Sequence, residues 1–202
     1  HLESKGVSVW LREKDVALDV AQKLASNLKQ DYNVIMTRSD DTFVPLGKRA
    51  EIGNDANADL FISIHLNAAS STSANGSEVF YFSKKESAYA AEVAKFENSV
   101  DKGYADVPLS DFIINDIFYR VNQQKSAMLA TDILDNIVNE FGLRKRGVFG
   151  ANFAVLRGSN SPSILVEIGF ISNSGDMSYF GNDYYKRVVA KSIAEGVRKH
   201  FY

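Results

Sequence analysis

Asp59-Leu60-Phe61-Ile62-Ser63-Ile64, followed at once by His65-Leu66-Asn67-Ala68, is the stretch on which the fold turns. Its apolar run is nearly continuous. A strand with one wet face would alternate, so this pattern predicts a strand buried on both faces of a parallel sheet. Upstream, Val16, Val20, Leu24 and Leu28 recur at intervals of four and predict a helix over 13–29. Asn33-Val34-Ile35-Met36-Thr37 reads as a short strand, 38–42 as a polar loop, and 46–56 as a second helix. Downstream, Gly76–Phe82, Phe153–Leu156 and Ile164–Ile168 read as strands. Residues 84–140 read as mainly helical, interrupted around 103–108, with Leu129, Ile133, Leu134 and Ile137 on the best-defined face. A last helix over 184–201 turns Val188, Val189, Ile193 and Val197 inward. Strand and helix alternate, which predicts an α/β fold: a largely parallel twisted sheet with helices on both faces. No repeat or low-complexity linker divides residues 1–202, so one domain is expected, with an inserted helical segment at about 84–140.

Composition narrows the chemistry. A hydrophobic fraction of 45 % and an aromatic fraction of 11 % suit a globular core. Lys plus Arg is 23 against 25 Asp plus Glu, so a net charge of −2 gives no broad attraction to nucleic acid. No apolar run approaches the ~20 residues of a membrane span. There is no cysteine, which removes disulfides, thiolate nucleophiles and Cys-ligated metal, and the histidines are His1, His65 and His200. A metal site must therefore be built from His and carboxylates.

In α/β sheets ligands gather at the carboxyl ends of the strands. His65 follows the 60–64 strand, and Glu167 lies near the end of the 164–166 strand. Glu13 opens the first helix. One His and two Glu on separate elements are the parts of a hydrolytic metal site, in which side chains hold the metal and a carboxylate moves a proton. Each has a plainer role. A His at a strand end is often a hydrogen-bonded structural residue, and a Glu in a first turn complements the helix dipole by ~0.3–1 kcal/mol. Glu167, flanked by Ile164, Leu165, Val166, Ile168 and Phe170, is costly to bury without a partner.

The local sequences add a family. Glu-Lys-Asp-Val-Ala-Leu (13–18), Thr-Arg-Ser-Asp-Asp (37–41), Leu-Gly-Lys-Arg-Ala-Glu-Ile (46–52) and Ala-Asp-Leu-Phe-Ile-Ser-Ile-His-Leu-Asn-Ala (58–68) closely resemble the zinc N-acetylmuramoyl-L-alanine amidases of the type-3 amidase family. So do Arg-Gly-Val (146–148), Phe-Ala-Val-Leu-Arg (153–157) and Pro-Ser-Ile-Leu-Val-Glu-Ile-Gly-Phe-Ile-Ser-Asn (162–173), in the family's order. The resemblance implies a cell-wall hydrolase that cuts between N-acetylmuramic acid and L-alanine of peptidoglycan, in the envelope, periplasmic or secreted, during wall remodelling or cell division. It implies zinc, with Glu13 and His65 as ligands and Glu167 as the catalytic carboxylate. Asn67, Arg49 and Arg146 match recurring cleft positions, where structural hydrogen bonding is as good a reading as substrate contact. Two rivals stand beside the amidase: a wall-binding domain of the same fold with impaired activity, and a zinc carboxypeptidase acting on stem peptides.

One departure matters. The family opens with a strand ending in Asp-Pro-Gly-His-Gly-Gly, whose His is the first zinc ligand, and no such motif occurs here. The expectation is that this strand is missing from the chain; His1 replaces the ligand only if a loop is shortened. The run Ala-Lys-Phe-Glu-Asn-Ser-Val (94–100) resembles members whose inserted helix covers the active site until an activator protein displaces it. Glu97, Asp111 and Asp116 are the carboxylates expected to plug the metal position; the plainer reading is a segment packed on the sheet edge.

Overall fold

The computed structural model describes the chain apart from residues 1, 5, 6, 10 and 113–115, and only the backbone of 2–4, 7–9 and 116. His1 and the side chain of Asp116 lie outside the described residues. A hairpin of β1 (Leu2–Ser4) and β2 (Val7–Val9) precedes α1 (Glu13–Leu28) and α2 (Leu46–Asp55). Then come β3 (Phe61–Asn67), β4 (Ser77–Phe82), α3 (Ala88–Asn98), α4 (Lys102–Ala105), α5 (Asp116–Glu140), β5 (Lys145–Ala151), α6 (Ala154–Arg157), β6 (Ser163–Phe170), α7 (Ser174–Phe180) and α8 (Asp183–Phe201).

The main sheet has the strand order β3-β6-β4-β5. β3 runs parallel to β6 and β4 parallel to β5, while β4 and β6 pair antiparallel. β6 is buried along its whole length, the pattern of a central strand covered on both faces. On one face Val79, Ile164, Val166 and Ile168 pack against α1, α5 and α8 through Val20, Leu24, Leu134, Ile137 and Ile193. On the other, Phe61, Phe80 and Leu165 pack against α2, α3 and α6 through Leu46, Val93, Ala94 and Leu156. Among the described residues no helix is long and apolar enough to cross a membrane.

Several elements differ from the sequence reading. Residues 33–37 form no strand: they are irregular and pair with no strand, and a groove of about 930 Å³ lies between them and β3, which ends the sheet. Ala21, Leu24, Val34, Met36, Ile62 and Ile64 line that groove. Residues 154–157 are a single helical turn rather than a strand, and the strand lies earlier, at β5, where Gly147 and Gly150 mask the apolar pattern. The stretch 84–140 divides: Leu129, Ile133, Leu134 and Ile137 bury α5 in the main core, whereas α3 lies across the opposite face.

Gly76, which launches β4, has φ +103°, and a Cβ there would stand 2.2 Å from the Arg144 carbonyl oxygen. That neighbour is backbone and has no rotamer to yield. Gly76→Ala should cost about 1–3 kcal/mol, read as a lower urea midpoint; an unchanged midpoint would show that the turn relaxes freely.

Candidate active site

Strand register assembles the site. His65 of β3 stands opposite Glu167 of β6, and Glu167 opposite Glu78 of β4. In-register neighbours point to the same face of a sheet, so the three side chains form a row across the strands. Glu13 reaches the row from the start of α1: its Oε1 lies 3.0 Å from His65 Nδ1 and accepts from the Leu66 amide at 3.4 Å. Glu97, in the last turn of α3, approaches the same ring nitrogen, its Oε2 3.1 Å from Nδ1. Ser63 Oγ contacts Nε2 at 2.8 Å. One donor atom each from Glu13, His65 and Glu97 falls within 4.8 Å of the others, a spacing at which one cation can meet all three.

The electrostatics are those of crowded buried acids. Burial lowers the basicity of His65, but the carboxylates of Glu97 and Glu13 outweigh it and raise the ring pKa to about 10. Glu167 is fully buried, and burial followed by the charge of Glu97 pushes its pKa well above the usual carboxylate range. For Glu97 burial acts upward, yet the charge of His65 prevails and holds it below its ordinary value. Apart from the contact between these two carboxyl groups, both Glu167 oxygens and Glu97 Oε1 are buried without a hydrogen-bond partner. Orphaned carboxylate oxygens beside a histidine are a donor set waiting for a cation, and hard oxygen plus imidazole nitrogen suits zinc.

Beyond Glu167 the row ends in a second polar cluster. Glu78 is fully buried; Asn67 Nδ2 donates to its Oε1 at 2.6 Å and Arg146 Nε to its Oε2 at 3.0 Å. The Tyr89 hydroxyl lies 2.7 and 2.8 Å from the two oxygens. Asn67 and Arg146 thus hold the two oxygens of Glu78 on this side. Arg49 stands on the opposite side, on α2, donating through Nε to the Val44 carbonyl at 2.8 Å, with its charge acting on Glu97 and Glu13. Asp111 is exposed on a short turn, where it accepts from Ser110, and does not join the metal-capable cluster. Sequence reading missed Glu78 and Tyr89. A carboxylate inside Ser-Glu-Val-Phe-Tyr-Phe carries the same burial cost that singled out Glu167, so the signal for Glu78 was present; Tyr89 had none.

A family profile described as N-acetylmuramoyl-L-alanine amidase matches residues 3–199. The amidase AmiC of Neisseria meningitidis serogroup B is 37% identical over 200 residues, covering 94% of this chain and 47% of the relative. The amidase AmiA of Escherichia coli K12 is 33% identical over 199 residues, covering 95% and 69%. The crystal structure of an N-acetylmuramoyl-L-alanine amidase from Clostridium difficile 630 superposes with a TM-score of 0.72 at 30% identity, covering 100% of this chain and 89% of that one. The amidase AmiC2 of Nostoc punctiforme gives 0.70 at 30% identity, covering 95% and 85%. The chain spans about half the length of the AmiC relatives, at 47% and 48%.

Proposed function

Because the chain belongs to the N-acetylmuramoyl-L-alanine amidase family, we propose that it is the catalytic domain of a zinc hydrolase. It cuts the amide between N-acetylmuramic acid and L-alanine in peptidoglycan, and it works in the cell envelope. The observation that carries this reading is the convergence of Glu13 and His65 at one point, with Glu167 next in the same row. Glu13 and His65 would hold the zinc, which when bound supplies Lewis acidity toward the scissile carbonyl and an attacking water. Glu167 is the proton carrier: it takes a proton from the water and delivers it to the leaving amine of L-alanine. Breaking the C–N bond leaves the lactyl carboxylate on the glycan and a free stem peptide.

The same site is held closed by α3. Glu97 takes up the cluster's third corner, so substrate and Glu97 exclude each other. Its negative charge adds to burial in raising the proton affinity of Glu167. Withdrawing α3 opens the corner and lowers the proton affinity of Glu167 together. The helix end is pinned by Asn98, which donates through Nδ2 to the Asn152 carbonyl at 2.9 Å and accepts from the Ala154 amide at 2.8 Å. Buried Arg157 ties the following turn, donating to the Ala105 and Tyr104 carbonyls under the Tyr104 and Phe112 rings. An activator protein that pulls on α3 or on this turn fits a two-state switch.

Purified sacculi test the reading. Digestion by the zinc-loaded protein should free intact stem peptides, visible by mass spectrometry, and a chelator should stop the release until zinc is restored. Shortened peptides still attached to muramic acid would identify a carboxypeptidase instead, and sacculus binding without cleavage an inactive wall-binding domain.

A further inference from the structure

α3 touches the polar row at two places, not one. Tyr89 is in its first turn and Glu97 in its last, eight residues apart, about 12 Å at 1.5 Å per residue. The row from His65 to Glu78 crosses two strand spacings, about 9.6 Å. The helix is therefore long enough to place Glu97 on His65 and the Tyr89 hydroxyl on Glu78, as observed.

The Glu78 end is built without α3. Asn67 Nδ2 holds Glu78 Oε1, Arg146 Nε holds Oε2, and Arg146 Nη1 donates to the Asn75 carbonyl at 3.3 Å while its guanidinium lies over the Phe170 ring at 4.8 Å. Tyr89 adds the last partner: its hydroxyl donates to Glu78 and accepts from Arg146 Nη2 at 3.0 Å. Taking the phenol away leaves a carboxylate acceptor and a guanidinium donor, both aimed at the place the oxygen occupied. A carboxylate entering there would face Glu78, and an ammonium would face Arg146. The pair selects a neutral group that both donates and accepts.

We propose that Glu78 and Arg146 form a second substrate-binding subsite, occupied here by the Tyr89 hydroxyl, that takes an amide or hydroxyl of the N-acetylmuramoyl peptide. This rests on the amidase reading of the neighbouring site and extends it: α3 mimics substrate at two points, Glu97 at the metal corner and Tyr89 one strand beyond Glu167. Such a group has two sources in this substrate, the sugar with its acetamido and hydroxyl groups, or the stem peptide.

The test is binding, in zinc-loaded protein carrying Glu167→Gln, which separates binding from turnover, and Glu97→Ala, which frees the metal corner. The probe is muramyl dipeptide, with N-acetylmuramic acid alone and L-alanyl-D-isoglutamine alone as the two arms, measured by calorimetry. Tyr89→Ala removes the stand-in without requiring α3 to leave, because Tyr89 is only partly buried. It should tighten binding of muramyl dipeptide by about tenfold, the worth of one charge-assisted hydrogen bond. Adding Arg146→Lys, or separately Glu78→Gln, should remove that gain in protein that remains folded, as read by circular dichroism at the assay temperature. The arm that retains sensitivity to Arg146→Lys identifies the sugar or the peptide as the group bound. No gain from Tyr89→Ala, or a gain that survives both further changes in folded protein, overturns the subsite. Failure of the amidase reading would show elsewhere, as sacculi left intact by protein with Glu167 in place, and it would leave this binding result standing.

Discussion

Glu167→Gln in the zinc-loaded protein should lower stem-peptide release from sacculi by about 10²–10⁴-fold, the usual worth of a positioned proton carrier, while zinc content is unchanged. The amide keeps the size and shape of the side chain in its fully buried pocket but cannot take a proton. The change also takes away a carboxyl that burial, and after it the charge of Glu97, holds above the usual carboxylate range, so folding should not suffer. Zinc content by mass spectrometry separates the outcomes. If the metal is lost with activity, Glu167 is a ligand; if turnover stays near normal, Glu167 has no part in the chemistry.

Glu97→Ala should act in the opposite direction, raising activity on sacculi about tenfold to a hundredfold without any activator. The estimate follows from the contact it deletes. A charge-assisted contact of Glu97 at this corner, to the His65 ring here or to a cation in its place, is worth at least about 1.5–3 kcal/mol, and each 1.4 kcal/mol shifts a closed-to-open equilibrium about tenfold. The remaining anchors of α3, Asn98 and the turn held by Arg157, stay in place, so the protein should remain folded with a looser helix. Asp111→Ala is the matched control, since that carboxylate is exposed and outside the cluster, and it should change nothing. An unchanged rate in a folded, zinc-bound Glu97→Ala protein would mean that α3 is simply part of the sheet's cover.

Much of this architecture was written in single stretches of sequence. The run at 60–64 is strand β3, the repeat of Val16, Val20, Leu24 and Leu28 is α1, and the apolar flanks of Glu167 belong to the buried central strand β6. These patterns are local, because burial on one helix face or on both strand faces constrains residues a few positions apart. The failures have local causes too. Glycines at 147 and 150 hid β5, and residues 33–37 carry a strand's composition but have no neighbour with which to pair.

The order of the sheet was not in any stretch. Glu78, Glu167 and His65 became one row because β4 pairs antiparallel with β6 and β3 pairs parallel with it, in a register that sets these residues opposite each other. Residue types named the chemistry, since a Cys-free chain with few histidines can build a metal site only from His and carboxylates. Which of the acids at 97, 111 and 116 reaches His65 depended on how α3 lies across the strands; Glu97 does, and Asp111 stays in solvent. Tyr89 meeting Glu78 and Arg146 likewise exists only in three dimensions. Periodicity is enforced by each element's own burial and is therefore legible along the chain, whereas register and helix placement come from packing residues far apart in sequence, which no local pattern encodes.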